Sequence, residues 1–170
     1  FLLNCKKSYV YFKLWMWRKF RSVVIVKIDD IIDMWQSDVK IDETELSRES
    51  LNIPLLHGKY LKYFSQERLK LRAQKMKQKQ LQQRLMDYYR GDLNNPEDLA
   101  ELGREPYPYK RLKQEVNYYV ESDSEMVQLN TKIAYQQEMV DILEEIIKAI
   151  NTRGYVIKNS LDFLRFTSGQ

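Results

Sequence analysis

From residue 126 to residue 150, apolar side chains recur at alternating steps of three and four. Met126, Leu129, Ile133, Val140, Leu143, Ile147 and Ile150 make this seam, and Gln136 is its one polar position. A second row of Met139, Ile142, Ile146 and Ala149 widens the apolar face. The spacing predicts a long helix that starts at Ser122–Glu125 and closes at Asn151–Gly154, because glycine accepts the left-handed conformation that ends helices. YVIKNSLDFLRF then predicts a short terminal helix that turns back. Its Tyr155, Val156, Leu161 and Leu164 would cover one apolar row and leave the other for neighbouring subunits. Leu129, Ile133, Val140, Leu143, Ile147 and Ile150 are therefore candidate oligomerisation residues.

Earlier in the chain the periodicity is weaker but still helical. Ile28, Ile31, Ile32 and Trp35 predict a first helix of about three turns. Asp42 followed three positions on by Glu45 has the spacing of a helix start. Pro54 is expected to interrupt that helix and open the next, which runs without further proline to Tyr89. The seam of this second long helix is sparse: Phe64, Leu71, Leu81, Leu85 and Tyr88, with Gln74 and Gln78 intruding. One side packs, and the remainder faces water or a ligand. Residues 91–108, with two asparagines and three prolines, predict a loop, and PYPYKRLKQEVNYYV follows as a basic and aromatic connector. The expected fold is all-α: an elongated multi-helix subunit with a long apolar-seam helix and a short terminal helix.

Charge sharpens this picture. From Arg68 to Met86 the chain carries seven basic residues (Arg68, Lys70, Arg72, Lys75, Lys77, Lys79 and Arg84) and no acid. The 170 residues hold 28 basic and 24 acidic side chains, a formal charge of +4. Residues 1–25 hold six of the basic ones and no acid, which leaves 22 against 24 for the rest. The body is slightly acidic, so its positive charge is local rather than general. Residues 1–25 also hold two of the three tryptophans and the only cysteine, Cys5. Lysines and arginines break their apolar runs too often for a signal peptide or a membrane span. An amphipathic membrane anchor is the weaker alternative to a segment translated from upstream of a start at Val26. Residues 26–170 then form one domain: 26–91 with the basic helix, 92–121 as loop and connector, and 122–170 for assembly.

Enzymatic chemistry has no foothold in the sequence. His57 is the lone histidine, and it sits beside Gly58 as a turn or surface residue. A glycine-rich phosphate loop is missing, a single cysteine offers neither a disulfide framework nor a cysteine-rich metal site, and paired carboxylates such as Glu144–Glu145 diverge on a helix. Neither catalytic residues, nor a cofactor, nor a metal is expected. Binding is another matter. Lysine and arginine neutralise phosphates and release counterions, and tyrosines offer faces to unpaired bases. The candidate nucleic-acid-binding residues are Lys75, Lys77, Lys79, Arg84, Tyr88, Tyr89, Arg90, Lys110, Arg111 and Lys113. Tyr107, Tyr109, Tyr118 and Tyr119 are further stacking candidates. A purely structural helical scaffold or adaptor is the competing reading.

Three stretches carry a resemblance to a known family. VKIDDIIDMWQSDVKIDETEL from Val26, DYYRG at 87–91, and INTRGYVIKNSLDFLRFTSGQ at 150–170 resemble the UvsY family of recombination mediators from T-even and related phages, those of marine cyanobacteria included. Val26 falls where that family has its initiator methionine. The resemblance implies a non-catalytic mediator, a ring-like homo-oligomer of six or seven subunits in the cytoplasm of the infected bacterial host. It implies single-stranded DNA, a RecA-like phage recombinase and the phage single-strand-binding protein as partners, and no membrane. The family's lysine–arginine pair before the tyrosines is matched here by Arg84 alone; its lysine partner is absent. Lys75, Lys77 and Lys79 are the nearest substitutes.

Overall fold

A computed structural model describes residues 27–109 and 111–169. It contains five helices: α1 (Ile28–Asp38), α2 (Leu46–Arg90), α3 (Pro96–Leu102), α4 (Lys113–Ser122) and α5 (Ser124–Ser168). No strand occurs among the described residues. The expectations for residues 1–25 lie outside them. The chain divides into two compact units, residues 1–39 and 40–170. The first holds α1, whose first-turn Asp30 accepts a hydrogen bond from the Lys27 backbone N–H at 2.9 Å.

The second unit is built on α2 and α5, each 45 residues long, about 67 Å at 1.5 Å per residue. They pair antiparallel: Glu49 meets Arg153 near one end, Glu67 meets Gln136 in the middle, and Gln78 meets Asn130 further on. Tyr60, Leu71 and Leu85 from α2 and Met139, Val140, Leu143, Ile146, Ile150 and Ile157 from α5 are buried. A second cluster forms where α4 closes on this pair, with Leu85, Val116, Val120 and Met126 at its centre and Leu81, Met86 and Tyr89 around it.

Two polar residues at the α2–α5 contact are satisfied rather than avoided. Gln136 is buried, and its amide donates to the Glu67 carboxylate at 2.8 Å and to the Glu67 carbonyl at 3.2 Å. Lys70 holds the other carboxylate oxygen at 2.7 Å. Buried polar groups are tolerable only when paired in this way.

Three helix boundaries differ from the sequence-based expectations. Pro54 lies inside α2 instead of starting a new helix. It withholds one backbone donor, but the flanking turns are anchored on α5, where Glu49 pairs with Arg153 and Ile53 approaches Gly154 to 3.8 Å from a Cβ position. Gly154 likewise lies inside α5, which runs on to Ser168, so no short terminal helix turns back. Among the described residues only Gly91, Gly103 and Gly169 take positive φ, and each closes a helix. Ile150 and Ile157, seven residues apart on one face, are both buried, so the packing seam continues straight through the glycine. The expected loop at 91–108 contains α3, capped by the Asn95 side chain at Glu97 N–H and by Gly103 at its end.

The loss of the turn-back changes what is covered. Leu46, which opens α2, and Ile157 are both buried near this end of the pair. Around and beyond them, Tyr155 (72%), Phe163 (66%) and Phe166 (82%) are exposed, with Val156, Leu161 and Leu164 beside them.

Candidate nucleic-acid interface

At the C-terminal end of α2, six tyrosines gather around two arginines. Tyr88 and Tyr89 end the helix, Tyr107 and Tyr109 come from the connector, and Tyr118 and Tyr119 from α4. Ring centroids lie 5.1 Å apart for Tyr89–Tyr107, 5.2 Å for Tyr88–Tyr107 and 5.6 Å for Tyr89–Tyr119. Such edge and tilted contacts suit the quadrupole of the aromatic ring. Arg111 lies over Tyr119 at 4.6 Å and Tyr109 at 5.5 Å, and its Nε donates to the Tyr107 hydroxyl at 3.1 Å. That hydrogen bond raises the affinity of the guanidinium for its proton.

Beneath the rings lies a buried ionic knot. Arg104 donates to both oxygens of Asp123, at 2.7 and 2.9 Å, and to Glu125 at 3.2 Å. Asp123 also caps α5 by accepting from the Glu125 N–H at 3.0 Å, and accepts from the Tyr89 hydroxyl at 2.8 Å. Burial pushes the Asp123 carboxyl up, but the hydrogen bonds from Arg104, Tyr89 and Glu125 outweigh it and hold the group below the usual carboxylate range. Burial and the bond to Asp123 push the Tyr89 hydroxyl up to about 12. The knot fixes α3, α4 and the start of α5 to the end of α2. Sequence reading missed it because Arg104 and Asp123 are far apart in the chain and belong to no motif.

The cluster sorts the stacking candidates. Tyr88 and Tyr89 are half-buried, and their hydroxyls are engaged by the Glu105 carbonyl and Asp123. Tyr109 (62%) and Tyr118 (72%) are exposed, Tyr109 with Arg111 over one side of its ring. Lys110 lies outside the described residues. Lys113 opens α4, and its side chain is outside them as well.

From Arg68 onwards the cations of α2 divide into two rows, because a helix turns about 100° per residue. Arg68, Arg72, Lys75 and Lys79, at steps of four, three and four, share one flank, and Arg90 lies on the same side eleven residues on. All of the first four are exposed, and none has an acidic partner among the described residues. Lys75 instead donates to the Gln137 amide oxygen of α5 at 2.9 Å. Lys70, Lys77 and Arg84, at steps of seven, lie on the other flank. There Lys70 is tied to Glu67 at 2.7 Å, and Arg84 to Glu101 of α3 at 3.0 Å. Arg68 and Arg72 are not among the sequence-based candidates; their four–three–four spacing with Lys75 and Lys79 is the signal that could have found them.

The candidate oligomerisation residues also divide. Leu143 and Ile150 are fully buried and Val140 nearly so, inside the subunit's own α2–α5 core. Leu129, Ile133 and Ile147 are half-buried. Among the described residues no cluster of histidine, cysteine or carboxylate groups fits a metal ion, and no helix is long and apolar enough to cross a membrane.

An all-α chain with cations aligned along one long helix and a tyrosine–arginine cluster at its end has the make-up of a nucleic-acid-binding subunit. Residues 34–170 match the profile of the family described as recombination, repair and ssDNA binding protein UvsY, and the chain belongs to that family. It is 29% identical over 146 residues to the recombination protein UvsY of Enterobacteria phage T4, covering 85% of this chain and all of that one. The fold is that of crystal structures of the phage T4 recombination mediator protein UvsY. One matches with a TM-score of 0.71 at 24% identity, over 81% of this chain and 98% of the other. A second crystal form matches at 0.72 and 23% identity, over 82% and 98%. The family is one of recombination, repair and ssDNA binding proteins.

Proposed function

We propose that this protein is a recombination mediator that binds single-stranded DNA and helps a RecA-like phage recombinase replace the single-strand-binding protein in the host cytoplasm. The observation that carries the DNA-binding part is the uncompensated cation row of α2, which leads to a cluster with two exposed tyrosines. The mediator role is supported by family membership and by the similar T4 protein, itself a recombination mediator. The candidate interface offers charge for phosphates and rings for bases, in keeping with a protein that acts by binding.

Assembly belongs to the same reading. The body is slightly acidic, so one subunit holds a strand weakly, and several subunits on one strand multiply that hold. We take a homo-oligomer of six or seven subunits as the working unit. The half-buried Leu129, Ile133 and Ile147 and the exposed apolar end of α5 are the surfaces left for neighbours.

Titration of labelled oligo(dT) at several salt concentrations tests the DNA-binding part. Affinity should fall steeply with salt. An oligomer that ignores the oligonucleotide at every salt concentration would be a scaffold instead. Exchange of recombinase onto coated DNA, with and without the protein, tests the mediator step.

A further inference from the structure

Seven cations lie between Arg68 and Met86, but the fold does not leave them equivalent. On one flank of α2, Lys70 and Arg84 already have carboxylate partners, and α3 stands beside Arg84. On the other, Arg68, Arg72, Lys75 and Lys79 are exposed and without acidic partners among the described residues. This row extends eleven residues, about 16 Å, and Arg90 prolongs it to the tyrosine cluster, about 33 Å from Arg68.

We infer that the phosphates of a bound single strand follow the Arg68–Arg72–Lys75–Lys79 row, with Arg90 at its end. The inference rests on the single-strand-binding reading above and assigns the phosphate path within it. Three observations converge on a strand as the occupant. The charge is uncompensated, so a polyanion gains full Coulomb attraction without first breaking an ion pair. Its cations repeat every three or four residues along a straight axis, which suits a regularly charged chain better than an irregular acidic patch. Two of them are arginines, whose planar forks hold phosphate oxygens bidentately. The row also leads to the end of α2, where Tyr89 meets Tyr107 and Tyr119, the neighbours of the exposed Tyr109 and Tyr118. Lys77 and Lys62 are exposed on other sides of α2 and serve as charge-matched controls.

The test compares two double variants of the full chain, Arg68→Ala/Arg72→Ala and Lys62→Ala/Lys77→Ala, in oligo(dT) titrations at several salt concentrations. Both lose two charges. Each phosphate contact on a single strand contributes about 0.7 to the slope of log affinity against log salt. The first variant should lose about 1.4 of slope per subunit engaged, and the second less than half of that. An Arg68→Lys/Arg72→Lys variant should keep the parental slope, which separates lost charge from lost fold. An oligonucleotide of abasic sites should show the same loss for the first variant, since the row touches only the backbone. The inference is overturned if the two alanine variants lose equal slope, or if the loss appears on oligo(dT) and not on the abasic strand. A parental protein that binds neither oligonucleotide overturns the single-strand reading itself, which is a different failure.

Discussion

Arg104 grips Asp123 with both ends of its guanidinium, Nη1 to Oδ2 at 2.7 Å and Nη2 to Oδ1 at 2.9 Å, under a layer of tyrosines. The side chain of Asp123 is 3% exposed and that of Arg104 18%. Removing one partner strands the other charge, which typically costs about 3–5 kcal/mol. Arg104→Ala should therefore lower the urea midpoint markedly and release Tyr88, over whose ring Arg104 lies at 5.4 Å. Equilibrium unfolding followed by tyrosine fluorescence checks it.

The same knot sets a pH dependence at both ends. The carboxyl of Asp123 is held below its unfolded value of about 3.9, so its stabilisation is complete above that value and lost as pH falls through the depressed one. At the alkaline end, Tyr89 has its proton held to about 12 against about 10 when unfolded. Its contribution is complete below about pH 10 and disappears as pH rises towards 12. Stability measured from pH 9 to 12 should fall less steeply in Tyr89→Phe than in the parent. An equal slope would mean that other groups dominate the alkaline limb.

Arg84, on the flank of α2 opposite the Arg68 row, is already paired with Glu101. Their contact at 3.0 Å is exposed on both sides, so it is weak and salt-sensitive. With the phosphate path on the opposite flank, Glu101→Gln should free the arginine and yet leave oligo(dT) affinity at low salt close to the parent's. A severalfold gain at low salt that vanishes at high salt would bring the strand to Arg84 instead.

Glycine in a helix interior costs about 0.5–1 kcal/mol relative to alanine. An alanine methyl at Gly58 would meet nothing within 4 Å, and one at Gly154 would meet only Ile53 at an ordinary 3.8 Å. Gly58→Ala and Gly154→Ala should each raise the melting temperature by a few degrees. If Gly154 ended a helix with positive φ, as its sequence context predicts, alanine there would destabilise instead.

Leu143→Asp bears on what holds the α5 seam. Leu143 is fully buried within the chain. An unpaired carboxylate there should cost more than about 4 kcal/mol and unfold the subunit, where a residue at a subunit contact would merely free folded subunits. Sedimentation and circular dichroism on one sample separate the two.

Much of this is legible in the sequence. The α5 periodicity marks the long helix and its buried face, the apolar spacing from Ile28 to Trp35 marks α1, and the basic run marks the exposed side of α2. What the pattern misjudges are ends. Pro54 and Gly154 are strong local stop signals, yet Glu49–Arg153 and the unbroken line from Ile150 to Ile157 outweigh them. Long-range pairs such as Arg104–Asp123 and Glu67–Gln136 leave no local trace, because each residue alone looks like an ordinary polar position. They decide which tyrosines are covered and which cations are engaged, so the sequence alone offers a candidate region and not the engagement of each residue in it.

The Glu67–Gln136 bond has a kinetic consequence. Two helices joined only by leucine and isoleucine can slip past each other by a turn, since one apolar contact replaces another. Here a slip of one turn, about 5.4 Å, would pull the amide from the carboxylate and leave its second buried oxygen with no donor, Lys70 holding only the first. Sliding is thereby blocked at mid-length, and the long pair can loosen only from its ends. Amide hydrogen exchange should be slowest around Glu67 and Gln136 and quicken towards both termini of α2 and α5.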